Sequence, residues 1–267
     1  MFRITAVIFI LSLYEFSQSK SQLRIRDGRD AKEGEFPYVV ALLAYINDTS
    51  RPEKKILKRF CTGSIISQDW VLTAGHCCDG KPLKYLYIWY ADFTTSAIGN
   101  KFIRKVRKIF IHPNFVDSEF MSLRNDVCLM LVDQLPINSF GRLSAIDHWS
   151  LIGLPVTYVG SGMTNKPGDD QLRPLQVGEA GIVSCREEVY YICIVPKCVN
   201  RFHMALSGDS GGPLLYEGRI IGVCTGGITE EHNPWTVYGG YTAISPYIQW
   251  IHAVMQHKND QIKPANH

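Results

Sequence analysis

Residues 208–213 have the sequence Gly208-Asp209-Ser210-Gly211-Gly212-Pro213, which places one serine hydroxyl among glycines. Glycine lacks a Cβ, so its backbone can approach a substrate closely and can adopt a positive φ. Acyl transfer requires backbone N–H groups aimed at the oxygen that becomes negative. The segment therefore predicts a nucleophilic serine, with an oxyanion hole formed by the N–H groups of Gly208 and Ser210.

A serine hydroxyl is a weak nucleophile until a base accepts its proton, and that base needs an orienting partner. His76 lies in Thr73-Ala74-Gly75-His76-Cys77, directly after an apolar run, and Asp126 opens the apolar segment 127–131. Taken alone, each residue has an ordinary interpretation: a buried histidine, a turn carboxylate and a loop hydroxyl. Taken together, and in this order, they predict a catalytic triad of His76, Asp126 and Ser210.

At these three motifs the chain resembles the trypsin/chymotrypsin family of serine proteases, and the resemblance covers nearly all of the mature chain. It implies that Ser210 attacks a peptide carbonyl, that His76 carries the proton and that Asp126 orients the imidazole. It also implies an all-β fold of two six-stranded antiparallel β-barrels with a C-terminal α-helix. His76 and Asp126 would belong to the first barrel and Ser210 to the second.

The spacing of apolar segments independently indicates an all-β protein, because short strand-like runs recur between Gly, Pro, Asn and Asp. These runs cover residues 38–45, 63–66, 85–90, 104–111, 127–132, 156–160, 219–225 and 236–244. We predict that residues 135–154 form the connection between the two barrels. Ser245-Pro246 predicts the start of a helix, with Ser245 as its N-cap, that packs on the second barrel.

The N-terminus predicts export. The apolar run 4–13 is too short to span a bilayer and is typical of a signal peptide, which we place at residues 1–19. We expect an activation propeptide at 20–24 and the protease domain at 25–267. The resemblance implies cleavage after Arg24 by an upstream trypsin-like protease, after which the new ammonium group of Ile25 pairs with Asp209. The protein is thus expected to be a secreted zymogen.

The resemblance also places the floor of the primary specificity pocket at Met204 and its walls at Gly227 and Gly239. Because Met204 carries no charge to meet a basic side chain, we expect cleavage after apolar or aromatic residues. The alternative is a core methionine with no role in specificity. The family's Ser-Trp-Gly beside the substrate is Thr225-Gly226-Gly227 in this chain, and we expect the Thr225 hydroxyl to bond Asp126.

Eight cysteines suit an oxidising compartment. The resemblance implies disulfides Cys61–Cys77 and Cys185–Cys198, with Cys193 as the competing partner for Cys185. Cys128 and Cys224 lie in apolar runs and predict buried free thiols. Cys78 has no assigned partner.

The surface features predict few partners beyond peptides. A formal charge of +3 gives no indication of nucleic-acid binding, and no later apolar run reaches membrane-spanning length. Two basic clusters, at 51–59 and 101–108, predict solvated surface. For the cluster at 51–59, the alternative is an exosite that binds an anionic partner. Asn47-Asp48-Thr49 predicts a glycosylated surface loop.

The sequence therefore predicts a secreted, zymogen-activated serine endopeptidase that uses no metal or cofactor. Its expected partners are a protein or peptide substrate, the activating protease and a protein inhibitor. The alternative is a catalytically weak or silent homologue that acts as a binding module, favoured by the missing indole and by Leu206 in place of a family cysteine. A zinc site at His76, Cys77 and Cys78 is disfavoured because no second paired ligand set has suitable spacing.

Overall fold

The structure is a computed structural model and describes residues 28–47, 55–97, 99–118, 121–162, 172–185, 191–196, 205, 207–230 and 233–262. In the first half the strands are β1 (Arg29–Asp30), β2 (Val39–Asn47), β3 (Lys55–Ser67), β4 (Trp70–Thr73), β5 (Leu86–Trp89), β6 (Ile103–Ile111), β7 (Val116–Ser118), β8 (Met121–Arg124) and β9 (Cys128–Val132). In the second half they are β10 (Arg142–Leu143), β11 (Pro155–Gly160), β12 (Gln176–Val183), β13 (Tyr191–Pro196), β14 (Pro213–Tyr216), β15 (Arg219–Glu230) and β16 (Asn233–Ala243). Short 3₁₀ turns cover Leu83–Tyr85, His148–Leu151 and Ser245–Tyr247, and the helix α1 spans Ile248–Ile262.

Six strands close the first barrel, in the order β2-β3-β4-β9-β6-β5. Its interior is filled by branched and aromatic side chains that are fully buried, among them Leu72, Trp89 and Leu129. Burying a side chain of this size contributes about 1.5 to 3 kcal/mol, so the barrel interior supplies much of the stability of this half. β3 begins at Lys55, so residues 55–59 of the first basic cluster lie on a strand.

The second barrel follows the order β12-β11-β14-β15-β16-β13 and is closed by pairing between β12 and β13. Two short strands extend this sheet, since β1 pairs with β12 and β10 runs parallel to β15. The prediction of two six-stranded antiparallel barrels is confirmed.

The C-terminal helix corrects two predictions. A 3₁₀ turn precedes it, with Pro246 in that first turn as expected, but Ser245 lies inside the turn and no side chain caps it. The segment at the start of the helix contacts the first barrel, where we expected packing on the second, and Ile251 joins an apolar cluster that contains residues of both barrels. The ring centroids of Tyr247 and Trp250 both lie 5.1 Å from that of His112, which follows β6 of the first barrel. Among the described residues, the helix falls short of the length and apolarity that crossing a bilayer requires.

Two disulfides fix the first barrel. The Cys61–Cys77 bond is confirmed. A second bond joins Cys78 to Cys128, so the prediction of a free thiol at Cys128 is wrong. The physical reason is register: Cys128 pairs with Thr73 at the end of β4, directly before the turn that carries Cys78.

A third disulfide joins Cys185 to Cys193, so the predicted bond from Cys185 to Cys198 is wrong. Cys193 pairs with Val183 between β13 and β12, which brings it next to Cys185 just beyond the end of β12. Cys198 lies outside the described residues. Cys224 is buried and free as predicted, and burial raises the pKa of its thiol, which makes it unreactive.

Candidate active site

His76 and Asp126 form a hydrogen-bonded pair on the first barrel. The His76 backbone N–H donates to Asp126 Oδ1 at 2.8 Å, and His76 Nδ1 lies 2.8 Å from Asp126 Oδ2. The Asp126 side chain has 0% exposure and that of His76 has 22%. With Nδ1–H donating to the carboxylate, Nε2 carries the lone pair and can accept a proton.

The backbone at Asn125 turns Asp126 towards His76. Asn125 adopts a φ of 51°, in the left-handed region that asparagine tolerates better than most residues. Its side-chain amide donates to the Asn114 carbonyl at 2.8 Å and accepts from the Tyr247 hydroxyl at 3.0 Å. These contacts hold the aspartate in position from both the segment between β6 and β7 and the 3₁₀ turn that precedes α1.

The serine loop on the second barrel depends on glycine at two positions. Gly208 has a φ of 96° and Gly211 a φ of 82°, both in the region that favours glycine. A Cβ at Gly211 would also overlap the Thr73 hydroxyl and the Thr62 carbonyl. The loop is fixed against the first barrel, because the Thr62 N–H donates to the Ser210 carbonyl at 2.8 Å.

The loop also lies close to the histidine. Cys77 Sγ, within its disulfide, is 3.8 Å from His76 Nε2 and 3.7 Å from the Ser210 carbonyl oxygen. The Ser210 hydroxyl makes no hydrogen bond within the described part of the chain. Catalytic hydrogen bonds are often long in unliganded sites and shorten when substrate binds.

Thr62 connects the barrels and was not singled out from the sequence. Its side chain has 0% exposure. Its hydroxyl donates to the Gly208 carbonyl at 2.8 Å and accepts from the Ser161 N–H at 2.9 Å. A threonine beside Cys61 carries no sequence signal of this role, because the contacts come from residues about 100 or more positions away.

Asp209 is buried at 3% exposure beside the serine. Its Oδ1 accepts a hydrogen bond of 2.7 Å from the Gly162 N–H. A Cβ at Gly160 or Gly162 would overlap its carboxylate, so only glycine leaves space for it. Arg24 and Ile25, the predicted activation residues, lie outside the described residues.

The residues of the predicted specificity pocket are only partly described. Gly227 and Gly239 face each other in the β15–β16 register. Met204 lies outside the described residues. The Thr225 hydroxyl pairs with that of Thr242 at 2.8 Å, so the expected bond to Asp126 is wrong. Both oxygens of that carboxylate instead face His76.

Cys61, His76 and Cys77 bring three potential metal-binding atoms close together. The two sulfurs are joined to each other in a disulfide and are therefore not thiolates. Because metals bind the thiolate form of cysteine, this cluster does not provide a metal site.

The arrangement of barrels, His–Asp pair and glycine-flanked serine is that of a two-barrel serine protease. The family model Trypsin matches residues 25–251, and the chain belongs to the trypsin family. It is similar to trypsin eta of Drosophila melanogaster, 28% identical over 262 residues, which cover 93% of this chain and 95% of the relative.

Two further relatives extend the comparison. The CLIP domain-containing serine protease B15 of Anopheles gambiae is 28% identical over 263 residues, covering 87% of this chain and 70% of the relative. Duodenase-1 of Bos taurus is 26% identical over 273 residues, covering 94% and 96%.

Proposed function

We propose that the protein is a serine endopeptidase in which Ser210, His76 and Asp126 act as the catalytic triad. The observation that carries the proposal is the buried Asp126 carboxylate, hydrogen-bonded to both the backbone and the Nδ1 of His76. That contact fixes the imidazole with Nε2 directed away from the carboxylate. A histidine oriented in this way is a general base for a hydroxyl brought within reach by substrate binding.

The chemistry then proceeds in two steps. Ser210 Oγ bonds to the peptide carbonyl carbon while its proton passes to His76 Nε2, and the oxyanion receives hydrogen bonds from the N–H groups of Gly208 and Ser210. The histidine gives its proton to the leaving amine, and water hydrolyses the acyl-enzyme by the reverse route. Loss of one oxyanion donor typically lowers kcat by roughly 10²- to 10³-fold.

The activation route belongs to the same proposal: cleavage after Arg24 releases Ile25, whose ammonium group pairs with Asp209. Strand register supports it. Asp30 pairs with Gln176, which pairs with Gly160, and Gly160 lies against the Asp209 carboxylate. With strands about 4.8 Å apart, Asp30 is roughly 10 Å from Gly160.

Arg29 is held in β1, so the residues that can extend are Ile25 to Gly28, which span up to about 14 Å and are therefore long enough to reach this site. An ammonium group beside Asp209 would add a charge-assisted hydrogen bond inside the protein. Such a bond would order the loop that carries the oxyanion donors.

Specificity and location are also proposed. Met204 at the pocket floor, with Gly227 and Gly239 on the walls, favours apolar or aromatic residues before the scissile bond. The three disulfides suit the export that the signal peptide at 1–19 predicts. Asn47 is exposed at the end of β2, where a glycan would meet solvent.

Labelling with an organophosphonate tests the catalytic assignment. The chain is cleaved after Arg24 by an added trypsin-like protease, and covalent labelling of Ser210 is followed by mass spectrometry, with Ser210→Ala as the control. A peptide library then measures the residue preferred before the cut. Preference for Lys or Arg would contradict the role of Met204.

A second candidate is a silent homologue that binds partners without cleaving them. The Ser210 hydroxyl, which lacks a hydrogen bond among the described residues, favours it, as does Thr225-Gly226-Gly227 in place of a rigid indole-bearing segment. Correctly cleaved protein that resists the phosphonate would support this candidate over the endopeptidase.

A further inference from the structure

Positive charge is concentrated on the first barrel. Residues 55–111 contain ten lysines and arginines, three aspartates and no glutamate, whereas the whole chain has a formal charge of only +3. The rest of the chain is therefore net negative. Six lysines define what we term the basic face: Lys55, Lys58, Lys84, Lys101, Lys105 and Lys108.

The strands that carry the basic face are neighbours. In the barrel, β3, β2, β5 and β6 lie side by side. Lys55 pairs with Asn47, Lys58 with Ala44, and Lys105 with Tyr87 across these strands. Four strands spaced about 4.8 Å apart extend the face over roughly 14 Å, which suits a chain-like ligand better than a single ion.

Two of the ammonium groups are held around one ring. Lys55 Nζ lies 4.4 Å and Lys84 Nζ 4.8 Å from the Tyr85 ring centroid. Lys55 also donates to the Tyr85 hydroxyl at 3.2 Å, and the two lysines lower the pKa of that hydroxyl. Within the described ranges, neither ammonium forms an ion pair with a carboxylate. The resulting positive potential is one that a bound anion would relieve.

The arginines of this region are mostly engaged within the protein. Arg104 donates to the carbonyls of Lys101 and Ile103, both at 2.8 Å. Arg107 pairs with Asp133 at 2.5 Å. The groups available to a partner are therefore lysine ammonium groups, which act as point charges. A guanidinium group, in contrast, binds a carboxylate through two parallel hydrogen bonds. A flexible ligand with repeated charges therefore fits this face better than an acidic peptide of defined geometry.

We propose that the basic face binds a linear sulfated polysaccharide. Three disulfides indicate an oxidising compartment, where such polymers are found and where nucleic acids are not the usual partner. Among the described residues, no hydrogen bond or ion pair joins a lysine of the basic face to His76 or Asp126, so the binding we propose does not require peptide hydrolysis.

Binding of a heparin decasaccharide to the full chain, measured by titration calorimetry at several salt concentrations, tests the proposal. The variant Lys55→Glu/Lys84→Glu should bind at least about tenfold more weakly and show a shallower dependence on salt. The matched control is Arg142→Glu/Arg219→Glu, which makes the same charge change at two exposed, neighbouring arginines of the second barrel. It should bind within about twofold of the parent.

The thermal midpoints of both variants show whether they are folded. Because the test measures binding, it remains valid even if the protein cleaves nothing. The proposal is overturned if heparin does not bind the parent, or if the control variant loses as much affinity as the lysine variant. Tighter binding of duplex DNA or of a poly-glutamate peptide of equal charge would also overturn it.

Discussion

Replacing Thr62 by valine tests whether the contact between the barrels positions the serine loop. Valine keeps the shape of the side chain and removes the hydroxyl, which is fully buried and bonded to the Gly208 carbonyl at 2.8 Å and the Ser161 N–H at 2.9 Å. Each buried group left without a partner costs about 1 to 3 kcal/mol. With two such groups, we expect the free energy of unfolding to fall by about 2 to 6 kcal/mol.

Equilibrium unfolding in guanidinium chloride measures this loss, and Thr62→Ser is the matched control. Serine keeps the hydroxyl and loses one methyl group, so its cost should stay near 1 kcal/mol. In single-turnover assays of the cleaved enzyme, the valine variant should show slower acylation. In steady-state assays, its KM should change little. The reason is that, in the proposed mechanism, the Gly208 N–H also binds the oxyanion, a contact that matters in the transition state.

Two results would refute this reasoning. If the valine variant unfolds within about 0.5 kcal/mol of the parent, the hydroxyl does not support the loop. If serine is as damaging as valine, packing of the methyl group and not hydrogen bonding explains the effect.

Three further predictions concern stability and loop geometry. Cys78→Ala/Cys128→Ala removes a bond across a sequence separation of 50 and should cost about 4 kcal/mol in thermal or denaturant unfolding. The Arg29 guanidinium lowers the pKa of Glu35 from 4.5 to about 2, so the pair stabilises fully above pH 4.5 and its contribution fades as pH falls towards 2. At neutral pH, Glu35→Gln should lower the free energy of unfolding by less than about 1 kcal/mol, because solvent screens the pair. Near pH 2 it should not change the free energy of unfolding. Gly211→Ala should destabilise by more than about 2 kcal/mol and abolish phosphonate labelling, because the backbone there has a φ of 82°.

Controls separate these effects from general damage. Cys185→Ala/Cys193→Ala, with a separation of only 8, should cost less, about 2.5 kcal/mol. An equal loss in both disulfide variants would contradict the chain-entropy argument. For the ion pair, a difference that persists at pH 2 or resists high salt would contradict the electrostatic origin. For the glycine, normal labelling of the alanine variant would show that the loop tolerates a Cβ.

Local patterns predicted the all-β class and the candidates His76 and Asp126, whereas the arrangement in two six-stranded barrels was implied by the family resemblance. A continuous apolar run marks β9, and the motifs around His76 and Asp126 lie next to buried runs. β12 was missed because Gly178, Glu179 and Gly181 interrupt its apolar pattern. Gly178 is required there by the close approach of the Tyr158 ring, a contact that exists only after β11 and β12 pair.

The cysteine pairing and the Thr62 contacts could not be predicted for a related reason. Cys185 bonds Cys193 because the β12–β13 register brings them together, and register between strands is not visible in a single sequence. Thr62 gains its role from partners on the second barrel. Local patterns identify elements, whereas these features depend on how distant elements meet.

The packing of the C-terminal helix has a consequence for how the two halves stay together. The chain crosses between barrels three times: from β1 to β2, through residues 135–154, and from β16 back to the first barrel, where Tyr247 bonds Asn125 beside Asp126. If the interface were to open briefly, these tethers would keep the halves at a local concentration in about the millimolar range. Reclosure would then be an intramolecular event, and a truncation before Ser245, which removes Tyr247 together with the helix, would delete one of the three tethers and slow it.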